Sequence, residues 1–251
     1  MKSEDLNIYT TYKDWPNPPF AEWDKTAGTL LKETMNKYYQ FVVDPDKDPT
    51  TTSAYQDLMR TIGTGSEQLN AWKAYVEQLR AYFPDSEIQR DIKLQPGVGA
   101  IFTLKDDTYD GFTITQKLHT YHSLLGPFYT IFGVNRVHYN NGEYNSIVFD
   151  PIITASPIDE YKALFEAVHK QFQKDFPDRI FMPFQIGRQT YPGFRTGWVS
   201  HKGDHALLHA LFTHYNIVRC AFRGDLTYGY KEWTDRELRA WTAYPPNHPP
   251  K

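Results

Sequence analysis

The sequence predicts an α+β fold: N-terminal helices followed by a mainly antiparallel sheet with packed helices. We expect one compact unit over residues 1–251, with a helical subregion over 1–90. Three observations carry this. Apolar residues recur every three or four positions through the first third of the chain, the spacing of a single helix face. From "GVGAIFTLK" onward the period drops to two, as in a strand with one buried side. Helices that precede a run of strands, with an Asn-Gly pair between two β-rich runs, point to an antiparallel α+β sheet rather than a doubly wound parallel one.

The elements follow in order. After "WPNPPF", the residues Trp23, Ala27, Leu30, Leu31, Thr34, Tyr38 and Phe41 make one helical stripe, ended by the prolines of "VVDPDKDP", which forbid continuation. A short helix is expected over Ala54 to Ile62, closed by Gly63 and Gly65. Ser66 has the character of an N-cap. The helix after it presents Leu69, Trp72, Tyr75, Val76, Leu79 and Phe83 and stops at Pro84.

Val98, Ala100, Phe102 and Leu104 then alternate with Ile101, Thr103 and Lys105, "DDTYDG" reads as a turn, and "FTITQKLH" as the next strand. Phe128 to Tyr139 and Tyr144 to Asp150 flank "NNG", residues 140–142; Asn and Gly tolerate the positive φ of a tight hairpin. Ser156 as cap, Pro157 at the first helical position and Asp159 and Glu160 in the first turn suit a helix start. Its face is Tyr161, Leu164, Phe165, Val168 and Phe172, ending before Pro177. "RIFMPFQIGRQTYPGFRTGWVS" is a strand running into a Gly- and Pro-punctuated loop, and Thr234 with Glu237 has capping-box spacing for a last helix through Trp241.

Composition bounds function. Tyr, Phe and Trp make up 16% of the chain, so the core is built largely from rings, and the same residue types are enriched at protein interfaces. With 27 Lys and Arg against 30 Asp and Glu, the net charge is −3, which argues against a duplex-binding basic face; single-strand binding by ring stacking stays open. A single cysteine excludes an intrachain disulfide and multi-cysteine metal sites. The start "MKSEDLNIYTTYKDW" has no apolar segment of the secretory kind, and no apolar run reaches the ~18 residues of a spanning helix. The expectation is a cytoplasmic protein without membrane attachment.

The sharpest chemical question lies in "HKGDHALLHALFTHYNIVRC", residues 201–220, which holds four of the nine histidines. As a helix capped by Asp204, it places His205 and His209 four apart on one face, the reach needed to share a zinc ion. His201 falls before the cap and His214 about half a turn round from His205 at ~100° per residue. The metalloprotease pattern needs a Glu between the two histidines, and here the sequence is "HALLH". The expected reading is that these histidines edge a buried face, half-wet and hydrogen-bonded, with no metal and no cofactor; the alternative recruits His119, His122 or His201 as a further ligand for a metal-dependent hydrolase. Cys220, in "NIVRCAF", alternates onto a face with Val218 and Phe222 and reads as a small buried hydrophobe.

Other motifs fail on inspection. Asp44, Asp46 and Asp48 copy three EF-hand positions, but Pro49 and Tyr55 stand where Gly and Glu are required. Asp106, Asp107 and Asp110 read as a solvated turn. "GTGSE" lacks the features of a phosphate loop, and no G-x-S-x-G elbow occurs.

"GRQTYPGFRTGW", residues 187–198, gathers Arg188, Tyr191, Phe194, Arg195 and Trp198 on a loop, the residue types of interface hot spots. It is the expected partner-binding segment. The function expected from these features is a non-enzymatic binding protein acting through contact with a protein partner. One concrete version is a bacterial immunity protein that neutralises a toxin, because such proteins are soluble, mid-sized, slightly acidic and poor in motifs. A metal-dependent hydrolase and a single-stranded nucleic-acid binder are the alternatives.

Overall fold

A computed structural model describes residues 25–39, 53–63, 66–93, 95–109, 111–140, 146–148, 151–189, 196, 205–215, 217, 220–225 and 227. It shows the α+β fold. Helices α1 (Lys25–Tyr38), α2 (Ser53–Gly63) and α3 (Ser66–Tyr82) lead into strands β1 (Glu87–Asp91), β2 (Gly97–Tyr109), β3 (Phe112–Ser123), β4 (Phe128–Asn140), β5 (Ser146–Val148) and β6 (Ile152–Thr154). Helix α4 (Lys162–Asp175), strand β7 (Ile180–Phe181), short helices α5 (Phe184–Gly187) and α6 (Leu207–Leu211) and strand β8 (Ala221–Arg223) follow. Among the described residues the sheet runs β1-β2-β3-β4-β6-β8, with β5 and β7 also paired to β4. Among the described residues only the β4–β7 and β6–β8 pairs are parallel.

Period-two alternation in β2, β3 and β4 sends side chains to two faces. On one face Val98, Ala100, Phe102, Leu118, Tyr129 and Ile131 pack under Trp72, Val76 and Leu79 of α3 and Phe165, Val168 and Phe172 of α4. On the other, Tyr121, Phe132, Val134 and Ile153 pack with Leu31 and Met35 of α1, Leu58 and Ile62 of α2, and residues of α5 and α6. The helical stripes expected for α1, α3 and α4 are thus the buried ones, and the short helix expected over Ala54 to Ile62 is α2, while Trp23, Phe41 and the helix expected around Thr234 lie outside the described residues. The β1 edge is guarded: the Arg80 guanidinium, itself ion-paired to Glu77, donates to the carbonyl of Ile88 at 2.8 Å, occupying a backbone acceptor that an edge strand otherwise offers to other chains.

Three local expectations are corrected. "DDTYDG" is not a six-residue turn. Strand β2 continues to Tyr109, which pairs with Phe112, and Gly111 stands at φ 75°, the left-handed conformation glycine adopts without a Cβ penalty; Asp110 lies outside the described residues. The carboxylates are tolerated inside the strand because it is exposed there, and Lys105 pairs with Asp107 at 3.1 Å. The strands on either side of "NNG" do pair antiparallel, but Asn140 itself is paired, with Ser146, so it belongs to the strand and not to a two-residue turn; residues 141–145 lie outside the described residues. Ser156 does not cap α4: its hydroxyl accepts from the amide of Asp225 at 3.1 Å, and the chain enters α4 through a 3₁₀ turn at Asp159–Tyr161, with Asp159 at φ 48°.

Candidate functional site

Two regions concentrate chemistry: the histidine-bearing segment over one face of the sheet, and the distal end of the β2–β3–β4 ribbon.

The helix expected through the histidines is confined to Leu207–Leu211, so His205 precedes it. The local cause is His209, whose imidazole turns back to accept from the Ala206 amide at 3.1 Å and satisfies one of the orphan donors of the helix start. Asp204, the expected cap, lies outside the described residues. The other nitrogen, Nε2, sits 3.0 Å from the Tyr215 carbonyl and therefore carries the proton it donates. His205 accepts at Nδ1 from the Thr196 amide at 2.7 Å, with the Thr196 hydroxyl at 3.0 Å. The two rings meet edge-on, centroids 5.7 Å apart, and each side chain is about 1% exposed. They are hydrogen-bonded, as expected, but buried rather than half-wet. Replacing His209 with Ala is expected to cost about 2 kcal/mol, because it strands a buried amide and a buried carbonyl; denaturant unfolding measures it.

The histidines named for a metal alternative are dispersed. His119 and His122 are an odd and an even position of β3 and face opposite sides of the sheet. His119 stacks on Phe132 at 5.4 Å and meets the edge of Tyr215 at 5.5 Å. His122 lies in a ring of Trp72, Tyr129, Phe172 and Phe176, with centroids 4.6–5.5 Å away. His214 bonds Gln95 at 2.9 Å, and His201 lies outside the described residues. Among the described residues no three His, Cys, Asp or Glu side chains are grouped to hold an ion. Burial holds His119 down to about pKa 3, helped by Arg136, Lys117 and Lys93, so its ring is neutral at pH 7.

Beside it the Tyr121 hydroxyl donates to Asp91 at 2.7 Å; burial first, then the Asp91 charge, keeps that phenol protonated. Cys220 is half-buried against the core, but it precedes strand β8, which starts at Ala221, and its amide bonds the carbonyl of Ile217 at 3.3 Å; Val218 lies outside the described residues. Arg188 packs inward, its guanidinium 4.3 Å from the Phe222 ring centre. Tyr191, Phe194, Arg195 and Trp198 lie outside the described residues, as do Asp44, Asp46 and Asp48.

At the distal end the register places Tyr109, Phe112 and Tyr139 directly opposite one another on three adjacent strands. The Phe112 and Tyr139 rings lie 4.7 Å apart, while Tyr109 and Phe112 are 51% and 41% exposed. Half-buried Ile114 and Val137 are paired in the next row but one on the same side. Lys105 lies 5.9 Å from the Tyr109 ring, and the Tyr109 hydroxyl donates to Asp107 at 3.0 Å.

This row escaped sequence reasoning because its first member was read into a turn. The discoverable signal was "YDGF": an Asp-Gly pair makes a two-residue hairpin, which forces the flanking rings into one cross-strand pair. Comparison of the chain with known protein families, with curated proteins and with solved structures finds no match.

Proposed function

We propose that this chain is a non-enzymatic cytoplasmic binding protein that acts by occluding a protein partner, in its most concrete form a toxin-neutralising immunity protein. The observation supporting this reading is the aromatic row. Three rings aligned across β2, β3 and β4, two of them about half exposed, form an apolar surface on a three-stranded ribbon. Isolated exposed rings are ordinary, whereas a contiguous row marks a contact surface, and Tyr is among the residues that dominate interface energies. Asp107 and Lys105, paired to each other beside Tyr109, supply the polar rim that typifies such contacts. On this rim Lys105 is held by Asp107 rather than presented to a phosphate backbone, which favours a protein partner over a single strand.

The test is partner capture from the native host, with purified wild type against a Tyr109→Ser/Phe112→Ser double variant. Wild type is expected to retain a stoichiometric protein partner, and the variant to bind it about 100-fold more weakly, the loss of two interface anchors. Its unfolding midpoint should hold within the small change typical of surface sites. In the immunity version, wild type but not the variant protects cells that express the toxin. A chain that stays monomeric and retains nothing at micromolar concentration ends this reading.

A further inference from the structure

The open edge of the sheet at β1 carries a second feature. Among the described residues β1 has a strand on one side, β2. Beside it, where the end of α3 meets the strand, lies a groove of about 610 Å³ whose lining includes Arg80, Ser86, Ile88 and Arg90. The Ile88 carbonyl turns out toward this groove, since it accepts from Arg80 Nη2 at 2.8 Å and from Nε at 3.3 Å. Residues of an antiparallel pair alternate between exchanging both backbone bonds with the neighbouring strand and exchanging none. The Ile88–Phe102 and Arg90–Ala100 pairs are therefore of the second kind. Ile88 and Arg90 present their backbone groups to the open side, while Glu87, Gln89 and Asp91 direct theirs to β2.

The same alternation sorts the side chains. Ile88 is buried with Trp72, Val76 and Leu79 of α3, so Arg90, two residues on, lies on the α3 face of the edge. Arg80 stands on that face too, its Nη1 held by Glu77 at 2.6 Å and its Nε and Nη2 turned to Ile88. Glu87 and Gln89, bonded to each other at 2.8 Å, take the other face.

This arrangement selects what can pair with β1. An incoming strand aligned with Ile88 and Arg90 sets one residue beside the Arg80 guanidinium and another, two positions along, opposite Arg90. A second copy of β1 meets repulsion in each register that aligns these outward-facing residues. Ile88 on Ile88 brings two Arg80 side chains together, Ile88 on Arg90 sets Arg90 against Arg80, and Arg90 on Arg90 places like charges directly opposite, which destabilises a sheet. Carboxylates at two alternate positions of the incoming strand turn both contacts attractive.

We propose that the β1 edge receives an extended segment of a partner protein with acidic side chains at alternate positions, added as a further strand. Ile88 and Arg90 supply the backbone pairing, and Arg80 and Arg90 select the acids. The groove is separate from the aromatic row: β1 pairs with residues 99–103 of β2, whereas the row stands at Tyr109.

The experiment titrates the full chain with a capped peptide, Thr-Thr-Glu-Thr-Glu-Thr-Thr, and follows backbone amides by NMR-detected hydrogen exchange. Saturable submillimolar binding is expected. The Ile88 and Arg90 amides should gain protection on saturation, while those of Gln89 and Asp91, already bonded to β2, stay as they are. The same peptide with Lys in place of Glu should bind about tenfold more weakly or less. Arg90→Gln should weaken the acidic peptide about tenfold, the loss of a charge-assisted pair. Arg90→Pro should abolish binding, because it also removes an outward amide that the β1–β2 ladder does not use. Arg60→Gln, on α2 over the opposite face, should leave binding unchanged. Equal binding of the lysine peptide, or protection that does not alternate along β1, would overturn the proposal. Self-association of the chain with Ile88 and Arg90 protected in the absence of peptide would do the same, because the edge would then belong to a second copy. If Arg90→Pro fails to fold, Arg90→Gln and the alternation decide.

Discussion

Lowering the pH from 7 to about 4.5 is expected to unfold this protein cooperatively, as followed by circular dichroism. His119, His122 and His169 are each under 10% exposed, and burial depresses all three: His119 to about 3, His169 to about 4, and His122 well below its ordinary value, with Arg179 adding to the effect on His122. A histidine with a native pKa below its unfolded value of about 6.5 binds its proton only on unfolding. Its stabilisation is therefore complete above that value and is lost as the pH falls from there toward the native pKa. Each such group costs roughly 1.4 kcal/mol per pH unit in that window. Together they remove about 4 kcal/mol per unit between about pH 6 and pH 4.5, against a typical total of 5–15 kcal/mol. The surroundings offer little rescue: His122 faces four rings, and His169 meets Phe181 at 4.6 Å and the Tyr129 hydroxyl at 3.3 Å.

The decisive variant is His122→Phe. It keeps a flat ring among Trp72, Tyr129, Phe172 and Phe176 and removes a nitrogen, Nε2, that has no partner among the described residues. At pH 7 it should match or exceed wild type in stability, because the orphaned polar atom is gone. Below pH 6 about one third of the pH slope should vanish. An unchanged slope would show that protonation of this imidazole is not linked to unfolding.

Much of the fold was legible because the signals were local and repetitive. The stripes Leu69 to Phe83 and Tyr161 to Phe172 and the alternation from Val98 each repeat one simple period, and each element buries the predicted side. What was misread depended on distant partners. Ser156 looks like a cap until the amide of Asp225, 69 residues on, takes its hydroxyl. Asp106 and Asp107 look like a turn until the register shows a strand edge with Lys105 beside it. His205 and His209 looked like helical neighbours, but an imidazole can itself bond a helix-start amide, and His209 does so, shortening the helix. Among candidate sites the loop segment at Arg188 announced itself by composition. The aromatic row is assembled by register between strands, which single-strand periodicity does not encode.

Replacing Gly97 with Ala is expected to cost about 3 kcal/mol, at the upper end of overpacking penalties, although a single methyl is added. Gly97 starts β2, where the segment around α6 crosses the sheet. A Cβ there would lie 2.6 Å from the Phe212 carbonyl oxygen, 2.8 Å from the Phe212 Cα and 2.9 Å from the His122 carbonyl oxygen. All three are backbone atoms, so no side-chain rotation relieves the clash. Either β2 leaves β3 or residues 205–215 lift as a body, which strains the bonds from Thr196 to His205 and from His214 to Gln95. Gly187 is the internal control. Its added Cβ would meet only side chains, the nearest being the flexible end of Met182 at 3.3 Å, so Gly187→Ala should cost under about 1 kcal/mol. Amide hydrogen exchange separates the two cases: Gly97→Ala should selectively expose the amides of Ala206 to Thr213 while those of β3 and β4 stay protected. If both glycine variants cost the same, or exchange rises evenly over the sheet, α6 is not clamped to β2 by that close approach.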